Sequence, residues 1–136
     1  MVDPVDRLWI LDTGSPLFQP PSYGRPKLVC IDLKTNHIIK KILFPPDVVL
    51  STTYLNDVRF DLRIGKEGMA FITNSSQNGP NGIIVVDLFS KESSRLLHDH
   101  SSTKVEGLHT FLPIVKGRPF LTSQPDGSMT QAAAIL

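Results

Sequence analysis

The stretch that decides the fold is LNDVRFDLRIGKEGMAFITNSSQNGPNGIIVVDL, residues 55–88. Its first part has apolar residues at every second position, namely Val58, Phe60 and Leu62. This period of two predicts a β-strand that begins just after Asn56 and Asp57. Three further strands are predicted, each preceded by a turn or loop rich in Gly, Asn, Ser or Pro: residues 69–73, 83–86 and 94–97.

The connections between these strands are too short to contain a helical crossover. Neighbouring strands are therefore expected to be antiparallel. The run Ile-Ile-Val-Val at residues 83–86 has no polar face, whereas an antiparallel sheet with one wet side alternates. Both features fit a four-stranded sheet that is covered on both faces by other sheets, as in a blade of a β-propeller.

The first part of the chain repeats this layout, with strands predicted over residues 8–14, 27–32 and 37–44. LWILDTG aligns with AFITNSS, and PKLVCIDLKTNHIIKKI aligns with NGIIVVDLFSKESSRLL. The alignment places Asp12 on Asn74 and Asp32 on Asp87, at offsets of 62 and 55 positions. A strand-built period of this size is typical of propellers.

The repeat predicts how one truncated propeller domain is divided. Residues 1–50 are interpreted as an incomplete blade that lacks its inner strand, because only seven residues precede Leu8. Residues 51–100 form a complete blade, and residues 101–136 form a loop and the start of a following blade. Residues 124–127 in this last part, Gln-Pro-Asp-Gly, are predicted to form a turn.

The chain resembles the major royal jelly protein and yellow family, particularly its fungal and bacterial branch. The resemblance lies in five ordered segments: DRLWILDTG, PKLVCIDLKTNHIIKKILFP, STTYLNDVRFD, GMAFITNSS and GIIVVDL. It implies a six-bladed propeller that binds a small organic ligand, such as a biogenic amine, in its central channel. An isomerase or cyclase of a pigment or secondary-metabolite pathway is the alternative that the resemblance leaves open, and the resemblance also implies an extracellular location.

The best candidate binding residues are Asn56 and Asp57, at the head of a predicted inner strand. Inner strands line a propeller channel, where an amide or a carboxylate can bind a polar ligand or a cation. Gluconolactonase-like propellers have a similar Asn-Asp near calcium, so a metal-assisted lactonase is a further alternative, although no cofactor is otherwise expected. The competing interpretation is that Asp57 only caps the turn before the strand.

Other polar motifs have simpler explanations. Asn74 and Asp12 occupy equivalent turns, and Asn74-Ser75-Ser76 is also a glycosylation sequon if the chain is secreted. His98-Asp99-His100 could suggest a metal site, but adjacent residues do not converge on one ion, so a solvated loop is expected. No catalytic residue is identified.

The nearly balanced charge of the chain limits the classes of partner that it can bind. The chain has 14 basic and 13 acidic residues, and this balance recruits neither nucleic acid nor an anionic membrane. No apolar run approaches the roughly 20 residues of a membrane span.

The single cysteine, Cys30, lies in an apolar run and is expected to be buried. The first residues contain no apolar core of a secretory signal, and the oligomeric state stays open.

Overall fold

A computed structural model of the chain describes residues 1–16, 19–22, 24–76, 79–104, 114–119, 121–123 and 129–131. These residues form an all-β fold, and no α-helix occurs among them. The strands lie in antiparallel sheets of three and four strands and in two short hairpins. This architecture confirms the predicted fold class, part of a β-propeller.

The first sheet has three strands in the order β1 (Arg7–Asp12), β2 (Lys27–Asp32) and β3 (His37–Leu43). The edge beside β1 is occupied by the N-terminal residues, which form one bridge between Val2 and Leu8. The backbone N–H of Trp9 also donates to the carbonyl of Met1 at 2.8 Å. A few residues therefore lie where a fourth strand would pair, but they do not form a strand.

The second sheet has four strands in chain order: β4 (Leu55–Asp61), β5 (Met69–Asn74), β6 (Gly82–Asp87) and β7 (Ser93–Leu96). β4 begins at Leu55, three residues before the start that the period of two alone predicts. Asn56 and Asp57 lie inside the strand, because Leu55 already pairs with Asn74. The period-two signal could not show this, since a register irregularity follows Leu55.

The core lies between the two sheets and is built from one face of each. The first sheet and the loop after it contribute seven buried residues: Trp9, Leu28, Cys30, Ile42, Phe44, Val48 and Val49. The second sheet and its connections contribute Leu55, Val58, Ala70, Ile72, Ile84, Val86 and Leu88. The rings of Trp9 and Phe60 meet across this interface at 5.1 Å between centroids. Cys30 is fully buried as predicted, and burial raises the pKa of its thiol.

The opposite faces of both sheets lie outside this core. In β6, Ile84 and Val86 are fully buried, whereas Ile83 and Val85 are only half-buried. In the first sheet, Ile10 remains 43 % exposed. Within the described residues, the apolar run of β6 therefore has one face packed against a sheet.

An ion pair joins the two sheets at the edge of the core. The ammonium of Lys40 on β3 donates to the carboxylate of Glu67 and to the backbone carbonyl of Leu88. The Lys40 side chain is only 14 % exposed. This contact fixes the third strand of the first sheet against two connections of the second.

Residues 101–136, predicted to be a loop and the start of a following blade, contain short strands among their described residues. They form a hairpin of β8 (Ile114–Val115) and β9 (Arg118–Pro119) and a second hairpin of β10 (Leu121–Ser123) and β11 (Met129–Gln131). A 3-10 turn over Ser101–Thr103 precedes them. The predicted turn at residues 124–127 lies outside the described residues. The division into blades at residues 50 and 100 stays a prediction.

Among the described residues, none of the elements is a helix with the length and apolar character to cross a membrane.

Candidate functional site

A β-bulge presents Asn56 and Asp57 to solvent. Leu55 pairs with Asn74 and Val58 with Ile72, so two residues of β4 stand opposite one residue, Thr73, on β5. Such bulges re-aim side chains and are common beside binding sites. Both Asn56 and Asp57 are exposed, whereas Leu55 and Val58 on either side are buried and anchor the strand.

Asp57 makes both local and longer contacts. One carboxylate oxygen accepts a hydrogen bond from the backbone N–H of Val58 at 2.8 Å. The other oxygen lies 2.6 Å from the guanidinium of Arg59, in an ion pair whose side chains are both more than half exposed. The backbone N–H of Asp57 donates to the Thr73 hydroxyl at 3.2 Å. The first oxygen is thus held by the backbone of the strand itself, and the second oxygen faces only the exposed Arg59 guanidinium.

Asn56 is the least constrained member of this group. Its Nδ2 donates to the Ser75 hydroxyl at 3.4 Å, a long and exposed hydrogen bond. With Asp57 and Arg59 it places an amide, a carboxylate and a guanidinium on one edge strand. We refer to these three residues as the β4 polar cluster. Such a cluster can both donate and accept hydrogen bonds to a small polar molecule.

Asn74 has a structural role directly behind the bulge. Its side chain is buried, with Oδ1 accepting from the backbone N–H of Tyr54 and Nδ2 donating to the carbonyl of Pro80, both at 2.8 Å. A glycan on Nδ2 would have to break the second bond and expose the residue. Glycosylation at Asn74 stays a prediction that this burial disfavours in the folded chain.

Asp12 ends β1 in the position that Asn74 holds on β5, as the repeat predicts. It accepts from the backbone N–H of Gly14 at 2.9 Å and from the Lys27 ammonium. The hydrogen bond from Lys27 is the main reason that the pKa of Asp12 is lowered. The same turn borders a hollow of about 420 Å³ that also contains Arg25.

A larger hollow of about 770 Å³ lies beside β5, β6 and β7. Met69, Val85 and Ser94 line it together with Phe44 from the end of the first sheet. Asn56 and Asp57 line neither hollow. The β4 polar cluster therefore lies outside both of these hollows.

Arg95 is a residue that the sequence reasoning missed. It lies in β7, where its guanidinium donates to the backbone carbonyls of Val48 at 3.0 Å and Pro80 at 2.6 Å. Its Nε donates to His98 Nδ1 at 2.9 Å, and burial lowers the pKa of Arg95. Arg95 thus ties three connections together. No signal in the sequence could have found it, since its acceptors are mostly backbone groups far along the chain.

The His98-Asp99-His100 segment is exposed, as the solvated-loop interpretation predicts. Asp99 forms an ion pair with Lys104 at 3.0 Å, and His100 Nδ1 accepts from the backbone N–H of Ser102. The three side chains therefore have separate partners. Within the described ranges, His, Cys, Asp and Glu form no group of three that could hold a metal ion.

The sheets and their shared core define a propeller-type β protein, and comparison with known sequences gives its family. The chain matches the model of the major royal jelly protein family over residues 1–115. It belongs to that family.

Three honeybee proteins (Apis mellifera) show the similarity directly. Over 52 residues the chain is 38 % identical to major royal jelly protein 3, 36 % to major royal jelly protein 8 and 38 % to major royal jelly protein 1. Each match covers 38 % of this chain. The matched segments cover only 9 %, 12 % and 12 % of those relatives.

Proposed function

We propose that the chain contributes to binding of a small organic ligand at the β4 polar cluster. The observation that carries this proposal is the bulge, which exposes Asn56 and Asp57 between two buried anchor residues. Bulges are common beside binding sites, and this one turns two polar side chains outward together. The family membership supports the same location, because the resemblance implies a ligand in a channel lined by inner strands.

The charges of the cluster favour a ligand that carries an amine. The Asp57–Arg59 ion pair is exposed, with side-chain exposures of 52 % and 73 %, and exposed pairs contribute only about 0–1 kcal/mol. A ligand ammonium can therefore replace the guanidinium at little cost. Asn56 would then accept from or donate to a second polar group of the ligand. This chemistry agrees with the biogenic amines that the resemblance suggests.

We propose that the ligand lies in a propeller channel completed by further blades and that the protein is extracellular, in line with its family. The isomerase, cyclase and lactonase alternatives stay predictions, as does calcium. No contact among the described residues favours one of them over binding.

The proposal is tested by NMR titration of the ¹⁵N-labelled chain with tyramine, which carries an amine and a phenol. We expect the largest shift changes at the amides of residues 56–59 and at the side-chain amide of Asn56. 4-Ethylphenol, which lacks the amine, should cause much smaller changes there. Changes centred on the hollow beside Asp12, or equal changes with both compounds, would contradict the proposal.

A matched pair of variants tests the role of the carboxylate. Asp57→Asn should weaken tyramine binding, because it removes the charge that meets the ammonium. Asp47→Asn removes the same charge from an exposed turn and should leave binding unchanged. Equal affinities of the two variants would show that Asp57 does not contact the ligand.

A further inference from the structure

Charges of alternating sign follow one another along β4 and the turn after it. Asp57, Arg59, Asp61 and Arg63 stand at every second position of the sequence. They form two ion pairs, Asp57 with Arg59 at 2.6 Å and Asp61 with Arg63 at 2.8 Å. The two pairs have the same composition and the same spacing in the chain. A difference between their contacts therefore indicates a difference in what they can bind.

The Asp61–Arg63 pair is closed. Both oxygens of Asp61 accept from the guanidinium, from Nε at 2.9 Å and from Nη2 at 2.8 Å, in the bidentate geometry that these groups favour. The backbone N–H of Arg63 donates to the same carboxylate at 3.0 Å. A ligand would have to replace all of these hydrogen bonds to bind the Asp61 carboxylate.

The Asp57–Arg59 pair is open by comparison. Asp57 meets the guanidinium through one oxygen, since its other oxygen accepts from the backbone N–H of Val58. Arg59 makes this contact with Nη1, which also donates to the carbonyl of Val58 at 3.1 Å. Within the part of the chain that the structure describes, Nε and Nη2 of Arg59 form no hydrogen bond. The Arg59 guanidinium therefore keeps one edge on which a carboxylate can bind in the bidentate manner.

An amine bound to Asp57 would leave a positive charge without a partner. When the ligand ammonium replaces the guanidinium at Asp57, as in the proposed function, Arg59 loses its counter-ion. A carboxylate on the same ligand can bind Arg59 and restore the charge balance of the β4 polar cluster. Because Asp57 and Arg59 are in contact, the two ligand charges must be close neighbours. An α-amino acid meets this condition, since a single carbon carries both groups.

We propose that the β4 polar cluster binds an α-amino acid, with the ammonium on Asp57 and the carboxylate on the Nε–Nη2 edge of Arg59. This inference rests on the proposed function, because it assigns the ligand class of the same site. It adds the requirement that the ligand carries a negative group beside its amine. It also assigns to Arg59 the selection of an amino acid over the corresponding amine.

NMR titrations of the ¹⁵N-labelled chain with tyrosine and with tyramine test this, because the two compounds differ only in the α-carboxylate. Tyrosine should bind about 2- to 5-fold more tightly, which is the contribution of one additional exposed ion pair. The side-chain Nε–H signal of Arg59 should shift with tyrosine and much less with tyramine. Equal affinities, with shifts at residues 56–59, would overturn this inference and leave the proposed amine site intact. Absence of shifts at these residues with both compounds would overturn both proposals.

Two variants identify the group that binds the carboxylate. Arg59→Gln should bring the dissociation constants of tyrosine and tyramine to a ratio of about one. Tyramine should bind this variant more tightly than wild type, because its competitor for Asp57 is gone, and this binding shows that the variant is folded. Arg63→Gln removes the same charge from the closed pair and should keep the wild-type ratio. A wild-type ratio in Arg59→Gln, or an equal fall of the ratio in Arg63→Gln, would contradict the role of Arg59.

Discussion

Replacing Asp3 by asparagine should destabilise the chain strongly, although Asp3 lies near the N-terminus. Its side chain is 1 % exposed and accepts four hydrogen bonds. One oxygen accepts from the backbone N–H groups of Val5 and Arg7, at 3.0 and 3.1 Å. The other accepts from Arg7 Nε at 2.7 Å and from the indole N–H of Trp9 at 2.9 Å.

The magnitude follows from these four donors. In either orientation of the new amide, its NH₂ group faces two donors instead of accepting from them. If it faces the side chains, the buried Trp9 indole N–H loses its partner, at about 1–3 kcal/mol. Arg7 is partly exposed and can be rehydrated, so its loss adds about 1 kcal/mol. Asp3→Asn should therefore lower the free energy of unfolding by about 2–4 kcal/mol.

Urea unfolding followed by the fluorescence of Trp9, the single tryptophan, measures this directly at the affected site. The midpoint should fall by about 1–2 M at a typical dependence on urea for a domain of this size. Asp6→Asn is the matched control, because Asp6 is an exposed residue of the same turn with a φ of 61° that asparagine tolerates. A difference of less than about 0.5 kcal/mol between the two variants would refute the reasoning.

Three further predictions address the glycine turn before β5, the Lys40–Glu67 ion pair and the titration of Asp61. Gly68→Ala should lower the free energy of unfolding in urea by about 2–3 kcal/mol, because φ at Gly68 is 100° and a Cβ there would lie 2.8 Å from a backbone atom. Gly65→Ala is the control, since a Cβ at Gly65 would meet open space, and it should lower the free energy of unfolding by about 1 kcal/mol. Equal losses in the two variants would contradict this reasoning. Lys40→Met should lower the free energy of unfolding by about 1–2 kcal/mol, because it removes the ion pair between the sheets. Lys41→Met, at an exposed neighbour, should change it by almost nothing. A larger loss in Lys41→Met than in Lys40→Met would contradict the role of Lys40 in joining the sheets. Hydrogen bonds from the neighbouring arginine lower the pKa of Asp61 to about 2, so its stabilising contribution should be complete above pH 3.8 and lost as the pH falls through about 2. A carboxyl ¹³C titration of Asp61 with a midpoint near 3.8 would contradict that shift.

Local signals were enough for the strands and the repeat. Period-two runs, one unbroken apolar run and turn residues indicated seven strands in residues 1–100, and six of these strands contribute to one core. The β4 bulge could not be predicted, since an extra residue in a strand changes no composition and depends on pairing with Thr73. The roles of Asp3 and Arg95 were equally hidden. Both depend on groups brought together by the fold, and a charged residue buried by such partners looks in sequence like any surface charge.

The affinity of the Asn56→Ala variant for tyramine tests the proposed site most directly. Gln19→Ala is the matched control, because it removes an exposed side-chain amide from another loop. Loss of the hydrogen bond from the exposed Asn56 amide should weaken binding by about 0.5–1.5 kcal/mol, which is about 2- to 13-fold in the dissociation constant. A dissociation constant unchanged from wild type, or one raised equally by Gln19→Ala, would contradict a ligand site at the β4 polar cluster.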